Sequence, residues 1–251
     1  MSTVLITGGG SGIGRGLCHW FAERGHQVIC GDLNLTAAES TASDSPGAQR
    51  IIPERLDVTS EESVTELMAR LPRPVDLLIN NAGLQYVAPL ELFPQDQWDV
   101  LIDVLLRGTC LMTRGVLDPM RKKGSGRIVN IGSVLSLRAS PYKSAYVAAK
   151  HGLLGFSKVI ALETANTDIT INTICPSYVR TPLVENQIAA QAEHHAISPD
   201  QVVDEIMLAP MPKGKFITID EIAGTVDFLV SRAARNITGQ EIVIDGGWTA
   251  R

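Results

Sequence analysis

Apolar residues fall along the chain in short unbroken runs, separated by longer stretches with helical spacing. Val4–Ile6, Val28–Gly31, Arg50–Leu56, Leu77–Asn80, Arg127–Ile131, Ile169–Ile174 and Glu241–Ile244 read as strands. Most are rich in Val, Ile and Leu without polar alternation, as strands covered on both faces must be. Helical patterns lie between them at Ile13–Glu23, Glu61–Arg70, Trp98–Lys122, Ala145–Thr164 and Asp220–Ser231. Alternation of this kind predicts an α/β fold: a single Rossmann-type doubly wound parallel sheet of about seven strands with helices on both faces.

No linker or internal repeat divides the pattern, so one domain is expected over 1–251. The least regular stretch, 182–215, is broken by Pro199, Pro210, Pro212 and Gly214. Ligands of open α/β sheets bind outside the carboxyl ends of the strands. An insertion after the sixth strand is therefore expected to form a helical substrate lid.

Composition narrows the class. Hydrophobic residues make up 45% of the chain and charged residues 20%, which suits a soluble globule. A net charge of −5 argues against a nucleic-acid footprint. Cys18, Cys30, Cys110 and Cys175 are widely spaced and read as free thiols, with no metal site expected. Adjacent His194 and His195 point in different directions on a helix, so they too read as solvated rather than ligating. The chain runs from Met1 straight into Val4-Leu5-Ile6, with no targeting or membrane segment, and a cytoplasmic location is the expectation.

Candidate chemistry begins after the first strand, at Thr7-Gly8-Gly9-Gly10-Ser11-Gly12-Ile13-Gly14. Glycines allow a tight turn and close approach to a pyrophosphate, while the helix opening near Gly12 points free N–H groups at the phosphates. Asp32 ends the second strand, where its carboxylate can accept the adenine-ribose hydroxyls and repel a 2′-phosphate. Residues 33–36 supply no cation, and Arg15 is the nearest one, so NAD is favoured over NADP. The alternative for Asp32 is a helix N-cap. Asp57 and Val58 are candidates for the adenine border. Asn80-Asn81-Ala82-Gly83 offers small residues where a nicotinamide ribose would lie.

Ser133 follows the fifth strand, and Tyr146-Val147-Ala148-Ala149-Lys150 opens a helix. The i, i+4 spacing puts phenol and ammonium on one face. A free phenol titrates near pH 10, and the Lys150 cation with a positive nicotinamide ring would favour the phenolate and lower that value. Tyr146 is then a general acid–base, Ser133 a hydrogen-bond donor to the substrate oxygen, and Lys150 a further hold on the nicotinamide ribose. A Tyr-x-x-x-Lys pair alone is common in helices. Together with Gly8–Gly14, Asp32, Asn80–Gly83 and Ser133 it becomes informative.

Thr-Gly-x-x-x-Gly-x-Gly at 7–14, Asn-Asn-Ala-Gly at 80–83, Ser133, Tyr146 with Lys150, and Ile244-Asp245-Gly246-Gly247 resemble the short-chain dehydrogenase/reductase family over essentially the whole chain. The resemblance implies a homotetrameric dehydrogenase, with Gly8, Ser11, Gly12, Ile13 and Gly14 at the phosphates. It further implies Pro176, Val179 and Thr181 at the nicotinamide end, and Tyr178 toward the substrate. Ser140–Gly152, Asn81–Gln85 and Thr181–Gln187 are similar to the 3-hydroxybutyrate dehydrogenase branch. That similarity implies a substrate carboxylate bound by Gln85, Lys143 and Gln187.

Two positions depart from the pattern. Leu105 stands where the family usually has an Asn in a proton relay. Leu135 stands two residues past Ser133, where the hydroxybutyrate enzymes usually carry a His. A short 3-hydroxyacid is the first expectation for the substrate. A bulkier neutral or aromatic secondary alcohol is the second, and an NAD-binding regulatory protein is the alternative from another class. Trp20 and Trp98 read as packing residues, and Trp248 as a subunit contact.

Overall fold

The computed structural model describes residues 2–250, apart from the side chain of His194. Met1 and Arg251, and with His194 the adjacent-histidine reading, lie outside the described residues. Seven strands form one sheet in the order β3-β2-β1-β4-β5-β6-β7, with every neighbouring pair parallel. They are β1 (Thr3–Thr7), β2 (Gln27–Asp32), β3 (Ile51–Arg55), β4 (Leu77–Asn80), β5 (Ser125–Ile131), β6 (Asp168–Pro176) and β7 (Glu241–Ile244). The order reverses between β1 and β4, which opens a crevice at their carboxyl ends.

Alternate strand residues serve opposite faces, and both faces are apolar. Val4, Ile6, Val28 and Cys30 pack with Leu17, Phe21 and Val226 on one side. Leu5, Ile29, Leu78, Ile128 and Ile171 pack with Met112 and Val116 on the other. Helices α1 (Gly12–Glu23), α3 (Glu61–Arg70), α6 (Ser144–Glu163) and α9 (Ile219–Val230) follow the apolar spacing closely.

Two helical regions differ from the sequence expectation. Helix α2 (Leu35–Ser43) is small and polar, with no strong apolar stripe, and its start is fixed by Asn34, whose side chain accepts from Ala37 N–H. That cap is Asn34, not Asp32. The expected single helix at 98–122 is α4 (Gln95–Ile102) and α5 (Gly108–Lys123), joined by a π-helical segment, Asp103–Arg107.

The lid is helical, as its position suggested. Helix α7 (Pro182–His195) starts at Thr181, whose hydroxyl accepts from Val184 N–H. A short helix α8 (Pro199–Gln201) and a π-helical turn, Val202–Met207, follow. Val184, Ile188, Val202 and Met207 give the lid its own small core. Its two ends are held together by a bridge between Val179 and Ile217, with Ile217 N–H donating to the Tyr178 carbonyl at 2.9 Å. Among the described residues, no helix is long and apolar enough to cross a membrane, and no group of His, Cys, Asp and Glu could hold a metal ion.

Candidate active site

A cavity of about 380 Å³ opens at the carboxyl ends of the strands, under the lid. At one end lies the glycine loop. Gly8 has φ +65°, and a Cβ there would meet Ala82 Cα at 2.8 Å; a Cβ at Gly14 would sit 2.1 Å from the Gly8 carbonyl oxygen. Only glycine allows the loop to fold this tightly. Ser11 precedes α1 in an extended conformation and makes no side-chain cap bond, so the first N–H groups of the helix are left for a ligand.

Asp32 lines the same end. Its carboxylate accepts from Gly10 N–H at 2.9 Å and Asn34 N–H at 2.9 Å. Arg15 is engaged elsewhere, with Asp44 at 2.5 Å and Ser40 at 2.8 Å. Thr7 and Asn81 tie the loop to the end of β4. Thr7 Oγ1 accepts from the N–H groups of Asn81 and Ala82, and Asn81 Nδ2 donates to the carbonyls of Thr7 and Gly8.

Several expected cofactor residues sit behind this surface. Asn80 turns inward: its Nδ2 donates to Asn130 Oδ1 at 2.8 Å, and the polar chain continues through Ser157 to Thr173. The side chain expected beside a ribose is a strut between buried strands. Asp57 caps its own turn through both groups of Thr59, and Val58 packs against Gly108. Gly14, Asp57, Val58, Asn80 and Ala82 do not line the cavity, whereas Gly8, Ser11, Gly12, Ile13, Asp32, Gly83, Pro176, Val179 and Thr181 do.

Ser133, Tyr146 and Lys150 all line the cavity. Ser133 leads into a short turn, where its Oγ accepts from Leu135 N–H at 3.1 Å. Lys150 is buried and donates to the Ile131 carbonyl at 2.6 Å. Burial pushes the Tyr146 phenol up to about 12, against a smaller downward pull from neighbouring Ser133. It pushes the Lys150 ammonium down to about 8. The expected lowering of the phenol by Lys150 is therefore not a property of the protein alone. Desolvation wins, because the ammonium is anchored to a backbone carbonyl 19 residues away in the chain.

The far end is mixed. Leu105 and Leu135 are buried and line it, with Leu84, Tyr178 and Trp248. The rings of Tyr178 and Trp248 stack at 6.0 Å. Gln187 Nε2 on the lid donates to Gln85 Oε1 at 2.7 Å, while Gln85 Nε2 is buried without a partner. Lys143 is only 6% exposed, has no ion pair among the described residues, and does not line the cavity. Burial pulls its ammonium below the ordinary value.

Sequence reasoning missed some of these positions. Trp248 lines the cavity because Gly246 and Gly247, at φ +61° and +93°, turn the chain back toward it. The double glycine was the available signal. Leu84 and Leu183 carried none beyond being apolar.

The family model described as short chain dehydrogenase matches residues 2–192. The chain belongs to that family. It is 42% identical to a D-beta-hydroxybutyrate dehydrogenase of Rhizobium meliloti, with 99% of each chain covered. A D-beta-hydroxybutyrate dehydrogenase of Cupriavidus necator is 40% identical, over 99% of this chain and 98% of the relative. Among solved structures, an actinorhodin polyketide ketoreductase variant with NADPH superposes with a TM-score of 0.94 at 29% identity, covering 100% of this chain and 98% of that one. This short-chain dehydrogenase is thus an oxidoreductase of secondary alcohols that uses a nicotinamide cofactor. The left-handed glycines, the open first turn of α1 and the Asp32 carboxylate fit such a dinucleotide.

Proposed function

We propose that the protein is an NAD-dependent dehydrogenase that interconverts a short 3-hydroxyacid, such as 3-hydroxybutyrate, with its 3-keto acid. The observation that carries the acid is the Gln187–Gln85 pair, which leaves a buried donor, Gln85 Nε2, without an acceptor. Buried donors are costly to leave unpaired, and a substrate carboxylate would complete this one. Buried Lys143, lacking any acidic partner among the described residues, supports the same reading. So do the names of the relatives at 42% and 40% identity. NAD rather than NADP follows from Asp32, whose charge would oppose a 2′-phosphate. A cytoplasmic homotetramer belongs to this proposal through the resemblance.

When bound, the nicotinamide accepts a hydride from the alcohol carbon or returns it to the ketone. Gly8, Ser11, Gly12 and Ile13 would hold the phosphates and Asp32 the adenine ribose, with Gly14 supporting the loop, and Asp57 and Val58 the adenine side, from behind the cavity wall. Gly83, Tyr146 and Lys150 would shape the nicotinamide ribose site, with Pro176, Val179 and Thr181 beside the ring, while Asn80 and Ala82 brace it from behind. Tyr146 takes the proton from the alcohol oxygen in oxidation and gives it back in reduction. Ser133 donates to the same oxygen. Leu135 N–H already occupies a lone pair of Ser133 Oγ, which leaves the Ser133 hydrogen free to point at the substrate. Gln85, Gln187 and Lys143 would hold the carboxylate. Tyr178 and Leu135 would face the carbon chain.

One observation favours a second reading. Leu135, Leu105, Tyr178 and Trp248 form an apolar wall that suits a bulkier neutral or aromatic secondary alcohol. The test is NADH absorbance on mixing protein and NAD with 3-hydroxybutyrate, longer 3-hydroxyacids and 1-phenylethanol. Highest kcat/KM on a hydroxyacid supports the proposal. Preference for the neutral alcohol moves the second reading ahead, and turnover of none of them favours a binding role.

A further inference from the structure

Three glycines in a row, Gly8-Gly9-Gly10, lie between β1 and α1, and packing forbids a side chain at the last two. A Cβ on Gly9 would sit 2.5 Å from Cys30 Sγ, and one on Gly10 would sit 2.7 Å from Ala37 Cβ and 2.8 Å from Asp32 Oδ2. The peptide joining Gly9 to Gly10 is therefore flanked by glycine on both sides, and glycine's wide conformational range lets such a unit turn over. Here it is held at both ends. Its N–H, that of Gly10, donates to Asp32 Oδ2 at 2.9 Å. Its carbonyl, that of Gly9, accepts from Thr41 Oγ1 at 2.9 Å. Thr41 lies on α2, is fully buried and does not line the cavity. Its backbone is anchored to α1, where His19 Nε2 lies 2.8 Å from the Thr41 carbonyl. The Thr41 hydroxyl also lies 3.1 Å from the Ala37 carbonyl, but that oxygen is inside α2, where backbone bonding serves it. The Gly9 carbonyl is the nearer acceptor.

We propose that Thr41 is a positioning residue for cofactor recognition: its hydroxyl sets the Gly9–Gly10 peptide, and through that peptide the Asp32 carboxylate that receives the adenine ribose. The inference rests on the reading of Asp32 as the ribose acceptor. With the peptide turned as it is, Gly10 N–H holds Asp32 Oδ2 and Asn34 N–H holds Oδ1. Turned over, the Gly9 carbonyl would face the carboxylate, two acceptors would meet, and Asp32 would lose its fixed direction. Thr41 opposes that turn, because the flipped peptide would break a hydrogen bond in a buried place. A carboxylate already fixed in direction binds at a lower ordering cost. The same contacts give α2 a role that its weak apolar stripe does not: it braces the glycine loop through Ala37 and Thr41.

The test uses Thr41→Ala, Thr41→Val, Thr41→Ser, Asp32→Ala and the double variant of Thr41→Ala with Asp32→Ala, all in the full chain. Affinities for NAD, NADP and ADP-ribose are read by titration calorimetry without substrate. Thr41→Ala should weaken NAD about three- to tenfold, the scale of one lost hydrogen bond. ADP-ribose, which has the same ribose and pyrophosphate but no nicotinamide, should lose the same factor. NADP should lose less, so the preference between the two cofactors narrows. In steady-state kinetics the loss should appear in KM for NAD and not in kcat. Thr41→Val keeps the volume without the donor and should weaken NAD as well; it carries the test if the alanine variant does not fold. Thr41→Ser, which keeps the donor, should recover most of the affinity. Because Thr41 acts through Asp32, Thr41→Ala should cost little more in the Asp32→Ala background. Unchanged NAD affinity in both Thr41→Ala and Thr41→Val, with NAD weakened by Asp32→Ala, would overturn the proposal and leave the reading of Asp32 standing. A full additional loss in the double variant would also overturn it, since Thr41 would then act on the loop independently of Asp32. If Asp32→Ala binds NAD as the unmodified enzyme does, the reading of Asp32 fails and the proposal fails with it.

Discussion

Lys150 Nζ lies 5.6 Å from the centroid of the Tyr146 ring, yet its hydrogen bond goes to the Ile131 carbonyl. The ammonium is therefore a buried charge held by a backbone dipole, and burial lowers it to about 8 from 10.5. A charge kept in so dry a place costs stability on the order of 3 kcal/mol while it remains protonated.

The pH dependence of that cost can be measured. Below pH 8 Lys150 is charged in both folded and unfolded chains, and the cost is fully present. Between about 8 and 10.5 the unfolded chain binds the extra proton, so the group's contribution to stability rises with pH. Tyr146 acts oppositely, but only above 10, the ordinary value of its phenol. Lys150→Met removes the titration and orphans the Ile131 carbonyl by the same amount at every pH. The difference in unfolding free energy, variant minus unmodified, should therefore fall by about 2 kcal/mol from pH 7 to pH 10. Urea titrations at the two pH values check it. A difference that stays constant would mean that Lys150 keeps its ordinary protonation.

Tyr146→Phe removes only the hydroxyl. Cofactor affinity should survive, since the glycine loop and Asp32 are untouched, while turnover falls by roughly two to four orders of magnitude. Ser133→Ala should cost turnover on the scale of one lost oxyanion donor, about two to three orders. Steady-state kinetics alongside a cofactor-binding titration decide it, and near-normal turnover in the Phe variant would rule out the assigned acid–base group.

Much of the fold was legible because strands buried on both faces write themselves as Val/Ile/Leu runs. Helix α2 was not, since Ala, Ser and Thr around Asn34 give no stripe. The π-helical segment Asp103–Arg107 was hidden inside a continuous helical pattern, because an inserted residue shifts the phase without changing the composition. At the site, Ser133, Tyr146 and Lys150 were legible through motif and spacing. The direction of the Asn80 side chain was not, because one residue along a strand end decides between crevice and core. Nor could the burial of Lys143 be read: it depends on the loop after β4, where Ala88 N–H pairs with the Tyr142 carbonyl.

Asp32 should decide the cofactor. Its carboxylate is already fixed by the Gly10 and Asn34 N–H groups, so it presents a pre-set charge to the ribose. Arg15, tied to Asp44, gives a 2′-phosphate no compensation. The unmodified protein should prefer NAD, and Asp32→Ala should weaken NAD while improving the relative use of NADP. Kinetics with both cofactors test this, and an unmodified enzyme that prefers NADP would overturn the role given to Asp32.

Lys143 carries the sharpest test of the substrate. Its ammonium is buried and depressed by desolvation, with no acid among the described residues to pair with it. A buried cation of this kind is stabilised when an anion arrives, and a charged hydrogen bond is worth about 1.5–3 kcal/mol. The cavity wall does not include Lys143, so engagement with a carboxylate requires the side chain to reach past Gln85 and Gln187. If it does, Lys143→Ala should raise KM for 3-hydroxybutyrate at least about tenfold and leave neutral alcohols nearly untouched. The same substitution removes the cost of a buried charge, so the melting temperature without ligand should hold or rise. An unchanged KM for the hydroxyacid would assign Lys143 to the structure alone. Recognition would then fall to the apolar wall of Leu105, Leu135, Tyr178 and Trp248, and a neutral secondary alcohol would become the better substrate.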